Sequence, residues 1–225
     1  MTTPDIFGHA DRSLMILFNY MSSEFQRFAI LPFDQLNILD CRKRVNEMYK
    51  RMETVIVREY EDIARKAYRD AAIDVSISDD GFDPYEFVWA MLKAYDPVSD
   101  FVYTREYTRK RDRMFESVIA TELGNQEMRK NLKRGLDVLA NQVRQYADNI
   151  TVGARITAFR NARIRYVRWV AEKDEKVCKT CKPRDGVIYQ INDFPVLPAH
   201  CRCRCHPEPA TEDEYLAQNG GRANA

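Results

Sequence analysis

The chain has 225 residues, of which 45% are hydrophobic and 31% are charged, a composition typical of a globular protein rather than a disordered or fibrous one. It contains only 8 Gly and 9 Pro, which disfavours a turn-rich all-β design and favours long helices. No segment approaches the roughly 18 consecutive apolar residues of a membrane-spanning helix. The N-terminus carries Asp5 and Asp11 instead of the basic start of a secretory signal, so we expect a cytosolic protein with no membrane partner.

Charge is distributed unevenly along the chain, although the formal net charge is only +1. Residues 1–100 contain 12 Lys and Arg against 18 Asp and Glu, whereas residues 151–206 contain 12 against 5. A basic end of this kind suits a polyanion or an acidic protein surface. Ordinary solvated helix faces would give the same count, so both interpretations stay open.

Helical periodicity dominates the first 162 residues, where apolar side chains recur every three or four positions. Asp83 before Pro84 predicts a short helix, because Asp is a good N-cap and Pro suits the first helical position. Cys41 lies on an apolar stripe and is interpreted as a small core side chain. Together these residues predict an α-helical body, residues 1–162, that is either a bundle or an extended arm. The other predicted helices cover residues 13–30, 35–73, 99–123, 126–147 and 151–162.

The pattern changes after Ala162. Residues 164–170 and 186–191 are rich in β-branched and aromatic side chains, and they predict two short antiparallel strands that close over the cysteines between and beyond them. We therefore expect a separate Cys/His module, residues 163–207. The remaining residues, 208–225, are acidic and are expected to form a flexible tail.

Five of the six cysteines lie within 28 residues, namely Cys178, Cys181, Cys201, Cys203 and Cys205. In a reducing compartment such a cluster more often binds a metal than forms disulfides. A C-x2-C pair followed about twenty residues later by a His and further cysteines is typical of tetrahedral zinc. We expect a Zn²⁺ ion held by Cys178, Cys181, His200 and Cys203, with Cys205 as the alternative fourth ligand. Two other states stay open: unmetallated thiols, and an iron–sulfur cluster on Cys178, Cys181, Cys203 and Cys205.

Four protein ligands leave no position for a catalytic water, so the predicted zinc is structural. The sequence also lacks a phosphate-binding Gly-rich loop, an H-E-x-x-H motif and a G-x-S-x-G motif. We therefore expect no enzymatic activity and no small-molecule substrate. The predicted fold is mainly α: a long-helix bundle or arm, followed by a small zinc-stabilised C-terminal module with a short β-hairpin.

Residues 166–205 carry an ordered signature: Tyr166-Val167-x-Trp169-Val170, then Asp174-Glu175-x-Val177-Cys178-x-x-Cys181, then Asp185-Gly186-x-x-Tyr189, then Leu197-Pro198-x-His200-x-x-Cys203-Arg204-Cys205. This string resembles the C-terminal domain of bacteriophage minor head proteins, the Mu protein F-like head-morphogenesis family. The residues that match the family motif are Cys178, Cys181, His200, Cys203, Arg204 and Cys205, framed by Trp169, Asp174, Asp185 and Gly186.

The resemblance implies a virion component present in few copies, located in the head interior or at the portal and assembled in the host cytoplasm. It implies the portal protein and other capsid proteins as partners and, as in some family members, packaged viral DNA. The alternative is a zinc-containing DNA-binding regulatory protein that uses the basic residues 151–206. In either case the candidates for contact with nucleic acid or a partner are Arg155, Arg160, Arg163, Arg165, Arg168, Arg202 and Arg204.

Overall fold

The computed structural model describes residues 6–96, 101–121, 126–171, 179–200 and 203–220. Helices carry most of the chain, and short strands appear at two places. The helices are α1 (Gly8–Ala29), α2 (Ile38–Asp74), α3 (Pro84–Lys93), α4 (Tyr103–Ile119), α5 (Gln126–Asn161) and α6 (Glu212–Gly220). The strands are β1 (Tyr95–Asp96), β2 (Phe101–Val102), β3 (Tyr166–Val170), β4 (Ile188–Gln190) and β5 (His206–Ala210).

The helical body is a bundle rather than an extended arm. Helices α1, α2, α4 and α5 pack against one another around one continuous apolar core. On α1, for example, apolar side chains at spacings of three and four form a buried stripe: Leu14, Leu17, Met21, Phe25 and Phe28. Cys41 is completely buried in this core, which confirms its interpretation as a packing residue. No helix within the described ranges has the length and apolar character needed to span a bilayer.

Helix α3 begins as its sequence predicts. The Asp83 side chain accepts hydrogen bonds from the backbone N–H groups of Tyr85 and Glu86, at 2.8 and 3.1 Å, and Pro84 occupies the first turn. Asn37 caps α2 in the same way, accepting from the N–H of Asp40 at 2.9 Å. These caps satisfy N–H groups that have no partner inside the helix.

Helix α5 runs without interruption for 36 residues, where the sequence pattern predicts two separate helices. That prediction is wrong because packing overrides the weak helix propensity of the polar and β-branched residues 148–152. All five residues of this stretch are buried. Gly153 lies so close to α3 that a β-carbon there would be 3.2 Å from the Phe87 ring and 3.3 Å from Met91.

A three-stranded antiparallel sheet follows α5, in the order β4-β3-β5. The two predicted strands are confirmed as β3 and β4, with Val167 opposite Tyr189. The third strand, β5, runs from the end of the expected module into the expected flexible tail, and helix α6 lies wholly within that tail. Pro207 and Pro209 hide this strand in the sequence, but proline is tolerated on an edge strand such as β5.

Helices α2 and α5 end in the same backbone motif. The second residue after each helix has a positive φ, 57° at Ser76 and 58° at Arg163. At α5, the N–H of Ile164 donates to the carbonyl of Phe159 and the N–H of Arg163 to that of Arg160, both at 2.9 Å. This is the Schellman motif, whose left-handed position normally holds glycine. A side chain there costs about 1 kcal/mol or more.

Candidate metal centre

Three cysteines from two distant segments meet beside the sheet. Cys181 stands at the start of a short turn of 3₁₀ helix, and Cys203 and Cys205 lie immediately before β5. Residues two apart share one side of an extended chain, which lets the last two thiols face the same point. The three sulfur atoms lie within 4.8 Å of one another, and all three residues are buried.

The distances suit a tetrahedral metal ion. Cys181 Sγ lies 3.8 Å from Cys203 Sγ and 3.3 Å from His200 Nε2. With zinc–sulfur bonds of about 2.3 Å and zinc–nitrogen bonds of about 2.0 Å, tetrahedral geometry places two sulfurs about 3.8 Å apart and a sulfur and a nitrogen about 3.5 Å apart. Three clustered thiols, with an imidazole in contact with one of them, are a donor chemistry that fits zinc.

The protonation of Cys203 and Cys205 is linked. A hydrogen bond from the Cys205 side chain lowers the pKa of Cys203, and backbone N–H groups and the nearby His200 lower it further. The same hydrogen bond and burial raise the pKa of Cys205. A metal ion that binds both sulfurs would displace the proton that the two thiols share.

Few apolar side chains surround the cysteines. Trp169 and Ala171 are the other members of the buried cluster that contains the three cysteines. The Phe194 ring packs against Trp169 at a centroid distance of 5.8 Å, and the Arg184 guanidinium lies 5.1 Å from the centre of the Trp169 ring. This shell shields the sulfurs from water but contributes little apolar burial of its own.

The turn between β3 and β4 is held by two residues of the family signature. Asp185 accepts a hydrogen bond from the N–H of Ala171 at 2.9 Å. Gly186 has a φ of 76° and donates its N–H to the carbonyl of Trp169 at 2.8 Å. A glycine suits this left-handed position because it has no β-carbon. These two framing residues fix the end of β3, next to the cysteines.

Arg204 connects the cysteine cluster to the helical body. It lies between Cys203 and Cys205 in the sequence, yet its guanidinium reaches both carboxylate oxygens of Asp11 on α1, at 3.0 and 2.9 Å. The same guanidinium lies 4.6 Å from the centre of the Phe7 ring. The first helix and the metal-ligand segment are therefore joined directly.

Of the predicted zinc ligands, the structure brings Cys181 and Cys203 together and adds Cys205, which was the alternative. His200 contacts Cys181 but is not part of this group of three thiols. Cys178 lies outside the described residues, as do Cys201, Arg202 and Asp174. The complete ligand set therefore remains a prediction. The sequence did not show that Cys203 and Cys205 would both face the cluster.

The seven predicted contact arginines fall into different environments. Arg155 is buried and pairs with Asp74 at 3.0 Å, so its prediction as an external contact is wrong: it faces α2 rather than solvent. Arg165 and Arg168 of the β3 segment pair with acidic residues of α6, Glu212 and Glu214. The partners in these pairs are 47 and 46 residues apart in the sequence, so no local sequence pattern could predict them. Arg160 and Arg163 are exposed.

Comparison with known protein families matches part of the chain. Residues 112–207 match the family model described as Phage Mu protein F like protein. The matched segment runs from α4 to β5 and includes the three clustered cysteines. A search of curated proteins and a search of solved structures each found no match. The family match confirms the resemblance noted for residues 166–205, and this similarity suggests a phage head-related protein.

Proposed function

We propose that the protein is a phage minor head protein that acts in head morphogenesis at the portal and has no catalytic activity of its own. The observation that carries this proposal is the family match over residues 112–207. The three buried cysteines lie within the matched segment and support a structural role for this part of the chain. The proposed partners are the portal protein and other capsid proteins, and the proposed location is the virion head or portal region.

In this proposal the metal centre has a structural role. Cys181, Cys203 and Cys205 would bind zinc together with His200 or Cys178. Zinc would supply a fixed cross-link between the turn after β3 and the segment before β5, and would not act on a substrate. Four protein ligands would leave no exchangeable position on the ion. Support comes from the sulfur–sulfur and sulfur–nitrogen distances and from the enclosed position of the three thiols.

The helical body would provide the surface for assembly. Its core is closed by α1, α2, α4 and α5, so its outer helix faces are free to contact a ring of portal subunits without loss of the fold. The ion pair between Arg204 and Asp11 would hold the Cys/His module in a fixed position on this body.

The proposal is tested by co-expressing the tagged full-length chain with the portal protein of the same phage and with its major capsid protein. We expect the chain to co-elute with portal rings in size-exclusion chromatography. We also expect quantitative mass spectrometry of purified virions to find it in few copies per head. Absence from virions and from portal complexes would contradict the proposal. Sequence-selective DNA binding by such a chain would instead favour the alternative, a zinc-containing DNA-binding regulatory protein.

A further inference from the structure

A cleft of about 420 Å³ lies where the end of α5 meets the sheet. Three arginines line it, Arg160 and Arg163 from the end of α5 and Arg165 from the entry to β3. Its other polar lining side chains are Tyr166, Gln190 and Asn192. No acidic side chain lines the cleft among the described residues.

The cleft has an excess of positive charge. Within the described ranges, neither Arg160 nor Arg163 has a carboxylate partner, and both are exposed. Arg165 pairs with Glu212 of α6, and its guanidinium lies 5.5 Å from the centre of the Tyr166 ring. Glu212 offsets one of the three charges, so the other two guanidiniums are available to an anion.

The backbone at Arg163 does not favour an arginine. Its φ of 58° is the left-handed conformation at which glycine is least strained, and its side chain is exposed. An exposed side chain adds nothing to the core, so burial does not account for an arginine at this place, whereas the cleft does. An unfavourable backbone position that presents a charged group to a cleft indicates a binding role.

We propose that this arginine cleft binds phosphate groups of a nucleic-acid backbone. Guanidinium groups match the oxygens of phosphate in paired hydrogen bonds, and two or three of them around one cleft fit a polyanion better than a single carboxylate. Contacts to the backbone carry no sequence information, so the binding is independent of sequence. The inference deepens the proposed function by naming a DNA-contacting surface, and it rests on that function only for the identity of the nucleic acid.

The test compares DNA binding by the full-length chain and two matched variants. Arg163→Gly removes one guanidinium and relieves the backbone. Ser76→Gly makes the same backbone change at the end of α2, outside the cleft. Binding of a labelled duplex of arbitrary sequence is followed by fluorescence anisotropy over a series of salt concentrations, and thermal melting confirms that both variants fold.

We expect Arg163→Gly to weaken DNA binding roughly three- to tenfold and to reduce the slope of log affinity against log salt by about 1, as expected for the loss of one phosphate contact. Ser76→Gly should bind DNA like the unaltered chain. A second variant, Arg160→Ala, should weaken binding in the same direction.

Three competitors identify what the cleft recognises. The proposal expects unlabelled duplex of a different sequence to compete fully, and inorganic phosphate or polyglutamate to compete only at far higher concentration. It is overturned if the unaltered chain does not bind DNA, if Arg163→Gly binds like Ser76→Gly, or if polyglutamate competes as well as DNA. Portal association does not depend on any of these results, so the two proposals can fail separately.

Discussion

The helical body and the Cys/His region contain buried clusters of different composition. In the body, apolar side chains from four long helices form one extensive core. In the module, the separate buried cluster consists of Trp169, Ala171 and three cysteines. Burial of one large apolar side chain contributes about 1.5–3 kcal/mol, so the body has many such contributions and this cluster has few. Apolar burial therefore accounts for the fold of the body, whereas the few apolar contacts around the cysteines are the reason for proposing a metal cross-link there.

The two regions are nevertheless in direct contact. Val167 of β3 belongs to the core of the body, while Trp169, two residues further and on the same face of the strand, belongs to the cysteine cluster. The Arg204–Asp11 pair adds a polar link. Loss of order in the module should therefore lower the stability of the body, but should not unfold it.

The largest expected effect comes from removing a metal ligand. Cys203→Ser should abolish stoichiometric zinc binding and disorder the surroundings of Trp169, because a hydroxyl is a poor zinc ligand. Zinc content measured by mass spectrometry and the near-ultraviolet circular dichroism of the tryptophans check this. Cys41→Ala is the matched control, since Cys41 lies in the core of the body; it should keep its zinc. Equal zinc content in both variants would contradict the assigned cluster.

Truncation of a core side chain in the body should lower stability and leave zinc binding unchanged. Leu14 is 1% exposed on the buried stripe of α1, so Leu14→Ala should lower the free energy of unfolding by about 2–5 kcal/mol. Zinc stoichiometry of the folded protein should stay unchanged. Denaturant unfolding followed by far-ultraviolet circular dichroism measures the loss. Loss of zinc from the folded Leu14→Ala protein would show that a defect in the core of the body also disturbs the metal centre.

Asp148 tests the junction between the two regions through pH. It is buried on α5, and burial raises its pKa from 3.8 to about 7 against the opposing effects of Arg204 and Arg144. Asp11 and Cys203 also act on it and raise its pKa further. Because the folded pKa is raised, the stabilising contribution of this carboxyl is complete below its unfolded pKa of 3.8 and is lost as the pH rises through about 7.

Asp148→Asn should therefore stabilise the zinc-loaded protein more at about pH 8 than at about pH 5, with a difference between the two conditions of about 2 kcal/mol. Denaturant unfolding of both proteins at each pH measures it. A stability gap that does not change with pH, or that grows as the pH falls, would show that the Asp148 carboxyl does not titrate in this range.

The smallest expected effects come from the two left-handed helix ends. Ser76→Gly and Arg163→Gly should each raise the free energy of unfolding by about 1 kcal/mol or less, because glycine relieves the strain but adds freedom to the unfolded chain. Thermal melting checks both. A clear loss of stability in Arg163→Gly alone would mean that its side chain has a packing role.

Local sequence signals predicted much of the fold. The apolar spacing of α2 and the Asp83–Pro84 cap predicted α2 and α3 with nearly the observed bounds. The β-branched runs predicted β3 and β4. These features depend on neighbouring residues. The continuity of α5 and the strand at Pro207 and Pro209 depend on packing partners far along the chain, so local propensity predicted them wrongly.

The candidate site was predictable to a similar extent. The spacing of Cys181 and Cys203 predicted a shared centre, but it could not decide the place of Cys205, because that depends on how the segment before β5 turns. The burial of Arg155 depends on which face of α5 meets α2. The arginine cleft requires the end of α5 to meet the sheet, which no motif in the sequence indicates.

The most direct test of the metal centre is the zinc content of the purified full-length protein, measured together with its response to a chelator. The account predicts one zinc ion per chain. Chelation should change the near-ultraviolet signal of Trp169 while the helical far-ultraviolet signal of the body largely persists. A metal-free protein whose Cys/His module has the same near-ultraviolet signal and the same resistance to proteolysis before and after chelation would contradict it.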